Sequence, residues 1–418
     1  MKLNRRTLLK ASAAGAASFA YGQFAVGQTN DPIRIGVITS LSGPGEPASR
    51  NIKLGIDIAT AQINKTGGIN GRRIALEVRD DKGNVAQAIA MARELLGSGV
   101  NLFTGTSQSA VALAIGPVMQ QENGVIVGSI AASDKINHQN FNPHYFRASE
   151  TPLARFNGLA QLAAQRFPDA TRWFGILPDY EYGHASWSMF VDGLLKFYPS
   201  IVGKQPEIID PIVHPFGTAD FRPYITNAMR KQFDGFFMGS FGNDSITFYQ
   251  QARPFRFTER AKAILDGGNE FVVSRALGKN SPSVWSATYW YPGNNQGIAA
   301  SDALLTDYQT LNGRMPPEGV VAEGHADILL LAKAISVANS TETAAVMAAM
   351  KGLEWETATG KRRIRAEDNQ SIRDPEFVFT VPANDASGFT VADSVKLPGD
   401  ALAEPPTPGQ ALELRRPA

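Results

Sequence analysis

Two short stretches place polar groups where a small charged solute can be held. The first, Gly105-Thr106-Ser107-Gln108-Ser109, follows the apolar run Val100–Phe103 and precedes a helical pattern over Ala110–Gln121. Open backbone N–H groups and the positive end of the dipole at such a helix start attract a carboxylate. Ser109 either turns its hydroxyl toward that ligand or serves as a plain N-cap. The second stretch, Gly128-Ser129-Ile130-Ala131-Ala132-Ser133, follows Val125–Val127. Its small side chains let the backbone approach a ligand, and the Ala131 carbonyl and Ser133 hydroxyl can accept from an ammonium. A Ser-rich loop alone is usually only a loop. Two such strand ends side by side point to a ligand, because open α/β sheets bind at that edge.

Other chemistries lack their residues. No GxGxxG follows a strand and no GxxxxGK[ST] occurs, so neither a dinucleotide fold nor a P-loop is indicated. Gly105–Ser109 only approaches a GxSxG nucleophile elbow. The histidines at 138, 144, 184, 214 and 325 never fall at i, i+4 or in an HExxH frame, so no metal site is expected. Asp80-Asp81 at a strand end reads as solvated loop charge. The expectation is a non-enzyme without cofactor or metal.

The elements that position these loops alternate. Strands over Ile33–Ile38, Ile74–Val78, Val100–Phe103 and Val125–Val127 are separated by helical patterns over Arg50–Ile63, Val85–Leu96 and Ala110–Gln121. The rhythm restarts after Thr151-Pro152, with strands over Trp173–Leu177, Glu207–Ile209, Phe233–Met238 and Ala261–Leu265. Such alternation predicts an α/β fold of two doubly wound units. Ala299–Asn312 and Gly324–Ala338 read as helices and Phe377–Val381 as a late strand. Leu397–Ala418, with five prolines, reads as an extended strap or a disordered tail.

Length and charge set the class. The 418 residues suit two or three domains, and the absence of cysteine excludes disulfides and thiol chemistry. A formal net charge of +1 gives no reason to expect nucleic acid or an anionic membrane as partner. Residues 1–27 read as a secretory signal: Lys2, Arg5, Arg6 and Lys10, then a weakly apolar Ala11–Ala20, then small residues Ala25-Val26-Gly27. Asn4–Lys10 resembles the twin-arginine export motif, which moves folded proteins. Cleavage there removes four basic residues and no acid, leaving 36 basic against 39 acidic side chains. A mildly acidic, exported, periplasmic protein is expected.

Several segments together resemble one family. Ile33–Ile38 with Leu41-Ser42-Gly43-Pro44, then Ile63-Asn64-Lys65-Thr66-Gly67-Gly68-Ile69-Asn70-Gly71 and Val78-Arg79-Asp80-Asp81, are similar to the opening of the Leu/Ile/Val-binding proteins, extracytoplasmic receptors of ABC importers. Asp179-Tyr180-Glu181-Tyr182-Gly183 and Arg365–Gln370 continue the likeness, over residues 31–380. The resemblance implies a type I periplasmic binding protein fold, with two lobes joined by a three-crossing hinge. Lobe 1 is expected from 31–150 plus 289–362, lobe 2 from 151–288 plus 363–396, and a Pro-rich tail from 397–418.

It also implies a site. Ser109 and the adjoining N–H groups correspond to the carboxylate subsite, and Ala131 and Ser133 to the ammonium-facing groups. Tyr182 corresponds to a contacting tyrosine, although without the resemblance a satisfied, partly buried turn tyrosine is the favoured reading. Phe241 corresponds to another aromatic contact. Asp266 corresponds to the acid that pairs with the ammonium, or else caps the following helix. The function implied is capture of a branched-chain or other hydrophobic amino acid by hinge closure, for delivery to a membrane permease by a monomer.

Departures widen the choice. Gly45–Ser49 reads as a short loop that puts an acid, Glu46, at the cleft mouth. Tyr289-Trp290-Tyr291 either fill the interlobe core or stack on an aromatic solute. His325, where relatives often carry tyrosine, reads as a helix-surface residue. An aromatic or other organic acid or amide, a sensor role for a signalling receptor, and an exported α/β enzyme are the alternatives.

Overall fold

The computed structural model describes residues 31–268 and 271–417. The export signal read over 1–27 lies outside the described residues. Strands β1 (Ile33–Thr39), β2 (Ile74–Asp80), β3 (Leu102–Thr104), β4 (Val125–Gly128) and β5 (Tyr145–Arg147) alternate with helices α1 (Glu46–Lys65), α2 (Val85–Gly97) and α3 (Ser109–Gln121). Apart from the edge strand β2, which is only half-buried, these strands are buried on both faces, as parallel strands covered by helices must be; in β1 every residue but Arg34 is buried.

The chain then crosses to a second unit through α4 (Pro152–Arg166), whose Thr151 N-cap accepts from the Ala154 N–H. This unit contains β6 (Arg172–Pro178), α5 (Glu181–Ile201), β7 (Glu207–Ile208), β8 (Ile212–His214), α6 (Arg222–Ala228), β9 (Gly235–Met238), α7 (Gly242–Ala252), β10 (Ala263–Asp266), α8 (Phe271–Leu277) and β11 (Val284–Thr288). A return to the first unit supplies α9 (Ala299–Asn312), α10 (Val321–Ala338), α11 (Thr343–Met350), β12 (Glu354–Thr357), β13 (Gly360–Arg365) and β14 (Gln370–Ile372). The final passage adds β15 (Glu376–Pro382), β16 (Phe389–Lys396) and the short α12 (Gly399–Leu402) to the second.

Two mixed sheets result. One has the order β12-β13-β14-β5-β4-β3-β1-β2, the other β16-β15-β11-β10-β9-β6-β7, with β8 also on β6. The antiparallel strands are the late ones, β12, β13, β15 and β16. The fold is the expected pair of α/β lobes. One boundary differs: β13 and β14 extend the first sheet, with Gln370 paired to Arg147, so the third crossing follows Ile372 instead of residue 362. Alternating, half-polar β13 carries no signal of which sheet edge it joins. Helix α1 also starts earlier than its periodicity suggests, because Pro47 is well suited to a helix's first turn.

The Pro-rich tail is an ordered strap. Leu402 packs into the core beside α4. Thr407 then meets His138 Nδ1 at 2.6 Å and the Gly409 N–H reaches the His138 carbonyl, both on lobe 1. Further on, Leu412 and Leu414 pack on lobe 2, and Arg415 donates its backbone N–H to Asp192 on α5 at 2.8 Å.

Candidate functional site

Both sheets present strand C-termini to the cleft between the lobes, and one cavity there holds about 520 Å³ of atom-free space, partly open to solvent. Lobe 1 lines it with Ala48, Ser107, Gln108, Ser109 and Ile130. The turn after β3 depends on Gly105, whose φ of +100° lies in the left-handed region that a side chain disfavours. That turn sets Ser107–Ser109 at the N-terminus of α3, a helix of 13 residues with no side-chain cap. The Ser107 hydroxyl is taken by Ser49 at 2.8 Å. Ser109 Oγ is buried on the cavity wall with no partner among the described residues. An unsatisfied hydroxyl beside open helix N–H groups is a built acceptor for an anionic oxygen.

Lobe 2 supplies an aromatic wall. Tyr182 and Phe241 meet edge to face with centroids 5.3 Å apart, and Tyr180 lies 4.8 Å from Phe216 behind them. Gly268 closes the floor so tightly that a Cβ there would sit 2.9 Å from Phe241 Cβ and 3.1 Å from the Tyr182 hydroxyl oxygen. Tyr289, at the second crossing, completes the wall and donates its hydroxyl to the Ile130 carbonyl at 3.4 Å.

Arg155 on α4 is the one charged residue of the lining among the described residues. It donates Nε to the Gly267 carbonyl at 3.1 Å, Nη2 to the Ala287 carbonyl at 2.7 Å and Nη1 to Glu150 at 2.8 Å. Glu150 also pairs with Arg373, and Arg373 reaches Glu323, which Arg362 holds through both oxygens at 2.7 and 2.8 Å. This buried chain runs through the first and third crossings. Arg373 and Arg155 act against burial to hold the Glu150 carboxyl below its ordinary range.

Of the residues expected at the site, Ser109, Tyr182 and Phe241 line this cavity and Ala131, Ser133 and Asp266 do not. Ala131 is buried in the core under α3. Ser133 turns its hydroxyl outward to Glu181 of lobe 2 at 2.6 Å. Asp266 is fully buried, accepts from the Gly268 N–H at 2.9 Å and faces Tyr249 on α7. Burial, and after it Asp266, push that phenol well above its ordinary value. The acid expected to meet an ammonium is therefore turned into lobe 2, because a two-residue turn back to Gly268 captures its carboxylate. Among the described residues the cavity lining contains no carboxylate side chain.

Other expectations also change. Of the three clustered aromatics only Tyr289 faces the cavity; Trp290 is buried and bonds Ser301 at 3.0 Å, and Tyr291 packs on Phe271. Glu46 opens α1 and pairs with Arg50. His325 is buried, bonded to Gln62 at 2.8 Å. Asp81 is buried too, bracing the Ser40 turn through a 2.6 Å bond. Ser240, His214 and Asp244 come together at the ends of β8 and β9, with Ser240 Oγ 2.7 Å from His214 Nε2. All three are buried off the cavity, with His214 Nδ1 2.9 Å from the Pro215 carbonyl and 3.9 Å from Asp244 Oδ2.

Residues 32–386 match the family model described as periplasmic binding protein. The chain belongs to this family. Among curated relatives of this periplasmic binding protein, the Leu/Ile/Val-binding protein BraC3 of Rhizobium johnstonii is 26% identical over 79% of this chain and 86% of its own. Two solved structures share the fold at a TM-score of 0.76 and 19% identity. One is a solute-binding protein of an ABC transporter from Rhodopseudomonas palustris in complex with 3,4-dihydroxy benzoic acid, covering 88% of this chain and 98% of its own. The other is a Leu-, Ile-, Val-, Thr- and Ala-binding protein from Brucella ovis in a closed conformation, covering 92% and 100%. By their names these relatives are binding proteins. No helix among the described residues of this periplasmic binding protein is long and apolar enough to cross a membrane.

Arg155 carries no distinguishing sequence signal, and that of Gly268 is only a glycine pair after a strand. Arg155 sits in an otherwise ordinary helix, Leu153–Arg166, and only the fold places its stem under the cleft floor. Gly267-Gly268 after a strand was visible, and its meaning, close approach of backbone to a ligand wall, was the available clue.

Proposed function

We propose that this protein is the extracytoplasmic binding component of an ABC importer and that it captures a small aromatic carboxylate that has no amine. The observation that carries this is the composition of the cavity wall: a helix N-terminus with the unpartnered Ser109 hydroxyl, a guanidinium, four aromatic rings and, among the described residues, no carboxylate. An α-ammonium buried there would lack an anionic partner, and burying an unpaired cation is costly. A flat ring stacked among Tyr180, Tyr182, Phe241 and Tyr289 gains both area and edge-to-face contact. The Rhodopseudomonas relative bound to 3,4-dihydroxy benzoic acid supports the same class. The branched-chain amino acid becomes the second choice, since Asp266 is not at the cavity.

Capture proceeds by closure about the three crossings. Lobe 1 offers the anion site and lobe 2 the aromatic wall, so only a solute that touches both favours the closed form. The closed face then docks on a membrane permease, which with its ATPase does the transport; the exported, signal-cleaved monomer itself hydrolyses nothing.

A thermal-shift series on residues 28–418 tests this with benzoate and 3,4-dihydroxybenzoate against Leu, Ile, Val and Phe. A ligand that binds only the folded state at a hundredfold excess over its Kd adds about 2.7 kcal/mol. The midpoint is expected to rise with the aromatic acids and not with the amino acids. A rise with Leu, Ile or Val alone overturns the proposal.

A further inference from the structure

The seam between the lobes is closed by a contact that does not touch the cavity. Glu181 is the first residue of α5, on lobe 2. Its two carboxylate oxygens are taken by lobe 1: Oε1 accepts from Ser133 Oγ at 2.6 Å and Oε2 from Lys135 Nζ at 2.7 Å. Ser133 is itself fixed, since Arg147 holds its carbonyl and its hydroxyl caps Lys135 N at 3.2 Å. None of Glu181, Ser133 and Lys135 lines the cavity. Elsewhere along the seam Pro44 of lobe 1 lies against Gly217 and Gly242 of lobe 2, and Arg275 on α8 pairs with Glu318 of lobe 1 at 2.8 Å.

We propose that Glu181 is an interlobe latch, whose bonds to Ser133 and Lys135 exist only with the lobes closed and so set the closed fraction whichever solute is held. The next residue, Tyr182, lies on the cavity wall. One turn of α5 therefore docks the latch and the ligand contact together. Apparent affinity scales with the fraction of protein in the competent form, so loosening the latch weakens every ligand by the same factor. Ser133 is fully buried and Lys135 is 39% exposed, so the hydroxyl bond carries the salt-resistant part and the ion pair the screened part. A first-turn acid also favours its own helix, which is the competing account of Glu181.

The full chain has no cysteine, so Arg50→Cys and Ala219→Cys at exposed positions of the two lobes can carry a unique pair of spin labels. Interlobe distances are then measured without any ligand in Glu181→Gln, Ser133→Ala and Lys135→Met backgrounds. All three are expected to shift population to longer distances, and Glu181→Gln with Ser133→Ala is expected to add less than the two separately. Benzoate affinity is expected to fall about threefold to tenfold, through faster release. Unchanged distances in Ser133→Ala and Lys135→Met, with or without an effect of Glu181→Gln, overturn the latch, since those two leave α5 intact. The distance measurement needs no solute, so failure of benzoate to bind bears on the proposed ligand and not on the latch.

Discussion

The Arg155 guanidinium lies 4.0 Å from the centroid of the Tyr289 ring. One residue comes from the first helix of lobe 2 and the other from the second crossing, so a single stacked pair joins the cavity to the hinge. The flat guanidinium can stack on the ring while its edge reaches Gly267, Ala287 and Glu150.

Lysine cannot reproduce that geometry. Arg155→Lys is expected to weaken an aromatic carboxylate by roughly tenfold or more, because a point charge loses two of three fixed bonds. Arg155→Ala leaves Glu150 buried with Arg373 as its remaining pair, and is expected to cost about 3–5 kcal/mol of stability. Calorimetric titration and thermal unfolding separate the two effects.

Ser109→Ala should behave oppositely. Its hydroxyl has no partner among the described residues, so the unliganded melting point is expected to stay the same or rise slightly. Affinity for the carboxylate is expected to drop about tenfold, for the loss of a hydrogen bond to a charged group. A lowered melting point without an affinity change would assign Ser109 to capping.

Gly268→Ala places a methyl group against Phe241 and the Tyr182 hydroxyl. Binding of ring-bearing acids is expected to fall more than that of short aliphatic acids, because the methyl takes up room on the aromatic side. Competition titration with benzoate and a short dicarboxylate checks the ranking.

Asp327 is buried on α10, takes the Thr104 hydroxyl at 3.0 Å and that of Ser129, and burial raises its pKa to about 8. The folded state therefore holds a proton that the unfolded chain releases near 4. Between about pH 4 and 8 the folded form binds more protons, so this residue's contribution to stability falls as pH rises through that window. Asp327→Asn is expected to flatten the decline, read as melting point against pH. His325, lowered to about 4 by burial and then by Arg362, contributes the opposite slope: stability is lost as pH falls from about 6.5 toward 4.

Most of the architecture was legible because its signal is local. Ile33–Ile38, Val125–Val127 and Ala299–Asn312 announce their elements through runs and periods that need no partner. β13 was not assignable to its sheet because edge membership is a long-range choice. The same division holds in the cleft. Ser109 is announced by a strand end followed by a helix start, and Tyr182 by resemblance. Ser133 and Asp266 lie in correct loops with side chains aimed elsewhere, since one-residue changes of direction at a strand end depend on which neighbour captures the side chain. For Ser133 that neighbour is Glu181, 48 residues on, whereas Asp266 is turned by the Gly268 N–H only two residues on.

The strap has a consequence for biogenesis. Its anchors lie 269 residues from His138 and 223 from Asp192 along the chain. During N-to-C synthesis both lobes emerge before it, so each waits with an uncovered flank for a segment made later. Contacts of such long sequence separation form slowly. Docking of this strap is then the last step by which the two lobes are tied together.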